Sequence, residues 1–443
     1  MEQSNSLNKV LKISSILLSG SMLASLLGIV VVAIITKNIS LEQYGIVVMV
    51  QAYIMFVDQL FNFQSWQALI KYGTVALEEK NKNDLIRYIQ LSIFLDLFGS
   101  FLALCFAFVL LVPMSKIFNF DINLLNPYLF YSIIILFRII GTPTALLRLT
   151  EQYKYFNYQL AINWIIKLIL TSVLVLNNSL TIYNILIAFL IGEIVSSIYL
   201  IYFGIKALNK YNISLQELSL SISKLLNLIS ISKRFLLFSL RANLNSAVLG
   251  SIRTIDELIV GALLGPASAA IFKIMKLIGT IVSKVLDPLY VSSYPEFSKM
   301  VAQNKKKEIL HMIKQISTIN FVISSIVIIS FYFFGDLIIK ILFTENYLTG
   351  LEVIQVYLIG VLISFVFFYA QPLMLSYEYE GIALGINTIA ACIYIFSLYY
   401  GIQYFGLWAI AFSFLLFNGL VTLPKLYFLQ VKTKLFLENV KDY

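Results

Sequence analysis

The stretch Ser268–Tyr290, SAAIFKIMKLIGTIVSKVLDPLY, is long and apolar enough to cross a bilayer, yet it holds three lysines and an aspartate. Wound as a helix, it gathers Lys273, Lys276, Thr280, Ser283, Lys284 and Asp287 into an arc of about 100°. Ile271, Ile274, Ile278, Ile281, Val282 and Val285 fill the remaining circumference. The polar stripe runs for roughly 20 Å at about 1.5 Å per residue, most of a hydrocarbon core about 30 Å thick. A charge facing lipid is costly, so such a stripe is expected to face water or the interior of a helix bundle. It reads as one wall of a cationic chamber inside a membrane protein.

The rest of the chain fits that setting. It has 443 residues, 60% of them hydrophobic and only 12% charged, with a mean hydropathy of +0.87. Soluble domains carry about 25% charged residues, so most of this chain belongs in lipid. The net charge of +9 does not call for nucleic acid, because its placement matters more than its sum. Cys105 and Cys392 both fall in apolar runs, which suggests no disulfide framework. A single histidine, His311, argues against a histidine-based metal site, and neither a metal nor a cofactor is expected. The first apolar run continues from Ile13 to Ile35 without a small-residue cleavage pattern, so it is read as a retained membrane helix.

Hydropathy picks out twelve candidate spans: 13–35, 45–69, 89–112, 127–147, 158–176, 181–203, 235–260, 266–290, 317–335, 352–375, 381–401 and 406–428. This divides the chain into an N-lobe (1–203), a linker (204–234), a C-lobe (235–428) and a tail (429–443). In the linker, Leu215, Leu218, Ile222, Leu225, Leu226 and Ile229 recur at helical spacing, which predicts an amphipathic helix on the membrane surface. With the N-terminus inside, cytoplasmic segments hold 22 Lys and Arg and outer loops only 3, namely Lys37, Lys116 and Lys340. That bias places both ends in the cytoplasm. Omitting 235–260 and 266–290 together leaves the bias intact, so charge alone leaves a ten-span chain open.

Apart from Lys425, counted with the cytoplasmic cations after Leu423, seven cations fall inside the spans: Arg138, Lys167, Arg241, Arg253, Lys273, Lys276 and Lys284. The acids there are Asp58, Asp96, Glu193, Asp256, Glu257 and Asp287. Arg253 has Asp256 at i+3 and Glu257 at i+4, a local ion-pair spacing. Gln51, Asp58, Asn62 and Ser65 form a second stripe, within an arc of about 60°. Asp58 has no cation three or four residues away, so it is either a coupling acid or the partner of a distant cation such as Arg241 or Lys276. A weak internal periodicity links the two stripes. Aligning Gly45 with Ala270 sets Gln51 opposite Lys276, Asp58 opposite Ser283 and Asn62 opposite Asp287. Two six-span halves would then be parallel repeats.

Several stretches carry a family resemblance: ITKNISLEQYGIVV (Ile34–Val47), QALIKYG (Gln67–Gly73) and LRLTEQYKYFNYQLAINWIIK (Leu147–Lys167) in the first half, then IDELIVGALLGPASAAIFKIMKLI (Ile255–Ile278) and DPLYVSSYPEFSKM (Asp287–Met300). The chain resembles the O-antigen and capsule polysaccharide flippases of the multidrug/oligosaccharidyl-lipid/polysaccharide exporter superfamily. That resemblance implies an all-α polytopic protein of twelve transmembrane helices, in two six-helix lobes around a central cavity. It also implies a place in the bacterial cytoplasmic (inner) membrane, in O-antigen, lipopolysaccharide or capsule biosynthesis. The implied cargo is an undecaprenyl-diphosphate-linked oligosaccharide, with membrane lipid around it and the pathway's polymerase and chain-length proteins as partners.

The residues agree with an anionic lipid-linked cargo, because lysine and arginine give phosphate charge-assisted hydrogen bonds. Arg241, Arg253, Lys273, Lys276 and Lys284 are the candidate substrate-binding residues. Asp58, Asp256 and Asp287 are the candidate coupling or cavity acids. The nearest rivals are a flippase for a peptidoglycan-type precursor and a small-molecule or drug exporter of the same superfamily. The first span lacks the acid expected of many drug exporters. An enzyme of the pathway is disfavoured: the outer loops are short and show no carboxylate pair, Ser/His arrangement or metal cluster.

Reporter fusions after Lys210, Lys306 and Lys432 are expected to report cytoplasm, and fusions near Lys116 and Lys340 the outer side. The discriminating fusion is at Pro266. An outer-side signal there supports twelve spans, and a cytoplasmic signal rules out the two-lobe arrangement.

Overall fold

The computed structural model describes residues 2–117, 125–219 and 232–433, with the side chains of 2–19, 117, 245, 248–249, 251–253, 281–292 and 295 left aside. Among the described residues there are helices and turns but no strand. The order is α1 (Glu2–Asn38), α2 (Leu41–Phe61), α3 (Ser65–Glu78), α4 (Lys82–Ile117), α5 (Leu125–Ser132), α6 (Gly141–Leu149), α7 (Tyr153–Leu176) and α8 (Ile182–Leu208). It continues with α9 (Lys233–Leu264), α10 (Pro266–Ala302), α11 (Lys306–Leu342), α12 (Leu351–Val366), α13 (Ala370–Ser376), α14 (Glu380–Phe405) and α15 (Trp408–Thr433).

Ten stretches among the described residues are long and apolar enough to cross a membrane, and they coincide with ten of the expected spans. The other two expected spans, 235–260 and 266–290, fall on α9 and α10, continuous helices of 32 and 37 residues. At about 1.5 Å per residue both exceed a hydrocarbon core about 30 Å thick. The chain divides into two compact units, Ser19–Ala262 and Met1–Leu18 with Leu263–Tyr443.

Local chemistry sets the helix ends. Ser40 caps α2 in a reciprocal box: Gln43 N donates to Ser40 Oγ and Ser40 N to Gln43 Oε1, at 3.2 and 3.1 Å. Thr181 caps α8 by accepting from Asn184 N at 3.2 Å. Gly265, with φ 87°, makes the sharp turn before α10, and Pro266 follows at the first helical position, where no amide donor is needed.

Three spans expected to be continuous are broken. Asn62–Gln64 separates α2 from α3, with Gln64 left-handed at φ 51°. A 3-10 turn, Ile133–Phe137, and three further residues separate α5 from α6. A short gap separates α12 from α13. Hydrocarbon offers no donor or acceptor, so the backbone groups freed at these points need partners in the protein. Asn243 Nδ2 of α9 donates to Leu60 O at 3.0 Å. In the other unit, Asn320 Nδ2 and Ser317 Oγ of α11 donate to Phe365 O and Val366 O, both at 2.9 Å.

The expected surface helix of the linker falls mainly on 220–231, outside the described residues. Leu215 and Leu218 lie instead in a succession of tight turns, with Leu218 N donating to Leu215 O at 3.2 Å. This segment folds back onto the first unit. Lys82 Nζ donates to Asn212 O at 2.7 Å and pairs with Glu217 at 2.9 Å, while Gln90 Nε2 donates to Glu217 O at 2.9 Å. The hydrogen bond from Lys82, helped by Ser214, holds the Glu217 carboxyl below its ordinary range. A lowered carboxylate pKa supports structure above the ordinary glutamate range and is lost as pH falls through the lowered value, so this contact persists at neutral pH.

Gly204 of α8 lies against Pro143 of α6 so closely that an added Cβ would stand 2.8 Å from Pro143 Cβ and 2.9 Å from its Cα. Gly204→Leu is therefore expected to force the two helices apart and destabilise the protein by about 1–3 kcal/mol. A clear fall in the unfolding temperature of purified protein checks this, and an unchanged temperature refutes the close approach.

Candidate functional site

Five ionisable side chains meet within the first unit, drawn from five separate places in the chain. Asp58 comes from α2, Asp96 from α4, Arg138 from the break before α6, Lys167 from α7 and Glu193 from α8. Arg138 Nη1 pairs with Asp58 Oδ2 at 3.1 Å, and its Nε lies 3.5 Å from Glu193 Oε1. Glu193 Oε2 accepts from Asn163 Nδ2 at 2.7 Å and lies 3.9 Å from the Lys167 ammonium. That ammonium also sits over the Trp164 and Phe189 rings, 4.8 and 5.1 Å from their centres. Asp58, Arg138, Glu193 and Lys167 thus form one chain of alternating charge, buried to between 10% and 26% side-chain exposure.

Asp58 therefore has a partner, and it is neither of the cations weighed from the sequence. Arg138 holds it, from 80 residues along the chain. The usable signal was the charge count within the first half. Asp58, Asp96 and Glu193 face Arg138 and Lys167 there, while helical spacing detects only partners three or four residues away. Buried ion pairs are poor sources of net stability, but removing one member strands the other at a penalty of about 3–5 kcal/mol.

Asp96 stands apart from that chain. It accepts from Ser65 Oγ of α3, from Thr142 N at 2.7 Å and from Thr142 Oγ1 at 2.8 Å. Thr142 Oγ1 also lies within hydrogen-bond distance, 2.8 Å, of Ser92 Oγ. Asp58, Asp96, Arg138 and Gly141 share a small cavity of about 20 Å³, with the broken backbone at Phe61 to Phe63 forming another side. That volume is room for about one water.

The remaining sequence candidates are spread over both units. Arg241 is exposed on α9, and Asp256 is buried on the same helix, its Oδ1 accepting from Glu257 N at 2.7 Å. Lys273 and Lys276 are partly exposed on α10, and the Lys276 ammonium lies 5.3 Å from the centre of the Phe272 ring. The side chains of Arg253, Lys284 and Asp287 lie outside the described residues. No grouping of three or more potential metal ligands occurs among the described residues. Lys425, counted with the cytoplasmic cations in the charge tally, is instead buried within α15 and donates to Gln371 Oε1 at 2.7 Å.

The pairing geometry predicts how Arg138 variants behave. Arg138→Met leaves Asp58 and Glu193 both short of a cation and is expected to lower protein abundance and thermal stability sharply. Arg138→Met with Asp58→Asn is expected to recover part of the loss. A loss in the double variant equal to the sum of the Arg138→Met and Asp58→Asn losses would show that the pair carries no coupling energy.

Comparison with known proteins bears on what such a site belongs to. The chain resembles an inward-facing multidrug resistance MATE family transporter of the MOP superfamily, with TM-score 0.73 and 11% identity over 97% of this chain and 100% of that one. A Vibrio cholerae MATE transporter variant gives TM-score 0.64 at 12% identity, over 98% of this chain and 100% of that one. A MOP superfamily transporter from Pyrococcus furiosus gives 0.63 at 11%, over 96% and 95%. At such identities the likeness shows the fold: an all-α polytopic membrane protein in two lobes. The inner membrane protein YghQ of Escherichia coli (strain K12) is 26% identical over 152 residues, 34% of this chain and 43% of that relative, so the match spans less than half of its length. A family model described as polysaccharide biosynthesis protein matches residues 10–301, about two thirds of the sequence, and the chain belongs to that family.

Proposed function

We propose that this chain is a flippase that carries an undecaprenyl-diphosphate-linked oligosaccharide, an O-antigen or capsule repeat unit, from the cytoplasmic to the outer leaflet by alternating access. The observation that carries this reading is membership of a polysaccharide biosynthesis family on a transporter fold. The lysine stripe of α10 adds the chemistry. A lipid-linked glycan keeps its tail in the bilayer, while its sugar and diphosphate need a polar, cationic path. In this reading 1–203 and 235–428 are the moving lobes, both termini are cytoplasmic, and the membrane is the bacterial inner membrane. The polymerase and chain-length proteins of the same pathway receive the product.

Arg241, Arg253, Lys273, Lys276 and Lys284 are the cargo-binding cations of this proposal. Asp58, Asp256 and Asp287 are its cavity or coupling acids, with Asp58 acting through its pair with Arg138. Arg241, Lys273 and Lys276 lie outside the chain of ion pairs around Glu193. Arg241 is exposed on its helix, and both lysines are partly so.

Losing one charge-assisted contact to a phosphate weakens binding by about 1.5–3 kcal/mol, roughly ten- to over a hundredfold. Lys276→Ala is thus expected to abolish or strongly reduce surface-glycan complementation at normal protein abundance, and Lys276→Arg to keep more of it. Lys307→Ala is the contrasting control, since that side chain is exposed at the start of α11. Normal transport by Lys276→Ala, Arg241→Ala and Arg253→Ala, each at normal abundance, would overturn the cationic path.

A further inference from the structure

Asp96 binds the first turns of two half-helices at once. Ser65 is the first residue of α3, and Thr142 is the second residue of α6. Both half-helices thus start at this carboxylate, with the positive ends of their dipoles beside it. The approach is close enough to need glycine: a Cβ on Gly141 would stand 2.6 Å from Asp96 Oδ1. Among the described residues Asp96 has no ion-pair partner, and its contacts are the two hydroxyls and one amide named above.

The charges around it do not balance. Asp58, Asp96 and Glu193 are three carboxylates, and Arg138 and Lys167 are two cations, so the cluster holds one excess negative charge when all are ionised. Asp58 and Glu193 are already paired. The charged groups sharing the cavity with Asp96 are Asp58 of α2 and Arg138 of the break. From α3 and from α6 it meets the uncharged Ser65 and Thr142, and Ser92 of its own helix contacts Thr142. Beside the α2 break, Asn243 Oδ1 is buried with no hydrogen-bond partner, while its Nδ2 donates to Leu60 O.

We propose that Asp96 is a proton site that latches α3 to α6. Ionised, it holds the starts of both half-helices. A proton delivered by water through the cavity adds to Oδ2 and turns that oxygen from acceptor to donor. The hold on Thr142 N is then lost, the excess charge is neutralised, and the half-helices part. The proton returns to water by the same cavity when Asp96 ionises again. The use of this latch in coupling rests on the transporter reading above, but the latch itself does not.

Hydrogen exchange on the purified full-length chain in lipid nanodiscs tests it without any cargo. Peptides covering Ser65–Leu69 and Gly141–Ala145 are followed from mildly acidic to mildly alkaline pH and corrected for intrinsic exchange. In the wild type both are expected to exchange about ten- to a hundredfold faster at the acidic end. Asp96→Asn, which mimics the protonated acid, is expected to exchange fast at every pH, and Asp96→Glu to keep the pH dependence. Ser65→Ala is expected to loosen the α3 peptide and leave the α6 peptide protected at alkaline pH. A flat wild-type profile, an Asp96→Asn profile equal to wild type, or loosening spread evenly over α4, α7 and α8 would overturn the latch. Exchange behaving as expected with no glycan transport would sink the flippase reading alone.

Discussion

A membrane helix that breaks inside hydrocarbon frees backbone groups that only other protein groups can satisfy, and much of this structure follows from how that is done. In the second unit, the break between α12 and α13 is served by Ser317 and Asn320, which are neutral and fixed in their bonding. In the first unit, Asn243 serves the carbonyl of Leu60, but the amide at the start of α6 is served by a carboxylate. A neutral amide bonds in the same way at any pH. A carboxylate at two half-helix starts ties backbone geometry to a charge.

That charge sits next to a set of ion pairs that is nearly closed on itself. Arg138 serves two acids and Glu193 serves two cations, so each depends on the others for burial. Arg138 and Lys167 are both held by acids, and Lys167 also lies over the Trp164 and Phe189 rings. Arg241, Lys273 and Lys276 lie outside that network, on the helices α9 and α10.

Hydropathy located the long helices because burial in lipid demands some twenty apolar residues in a row, and that demand is written locally. The breaks were not legible in the same way. Averaging over such a window hides three residues such as Asn62, Phe63 and Gln64. Pro143 and Pro372 are visible afterwards as the third residues of α6 and α13, positions where a proline costs no hydrogen bond. The site was legible as a list of charges but not as pairs. Helical periodicity reports neighbours within one helix, whereas Asp58, Arg138, Glu193 and Lys167 come from four different parts of the chain. Lys425 shows the same gap: a lysine near a span end looks solvated until the neighbouring Gln371 is in view.

The two polar stripes show what periodicity reports and what it omits. Alignment by spacing sets Asn62 opposite Asp287, and both lie on a polar face. Yet α2 ends at Phe61, just before the first of them, while α10 runs on as one helix from Pro266 to Ala302 through the second. A stripe records only which side of a helix is polar, since side-chain direction follows the 3.6-residue repeat whether or not the backbone later breaks. A break needs partners for the freed groups, and those come from elsewhere: Asn243 for α2, from α9. The mechanical outcome differs accordingly. On α10, Lys273 and Lys276 keep a fixed separation of about 4.5 Å along a continuous helix, as a rigid row of charge. On the first unit, the acids flank a joint, where the same kind of polar face governs how two half-helices meet.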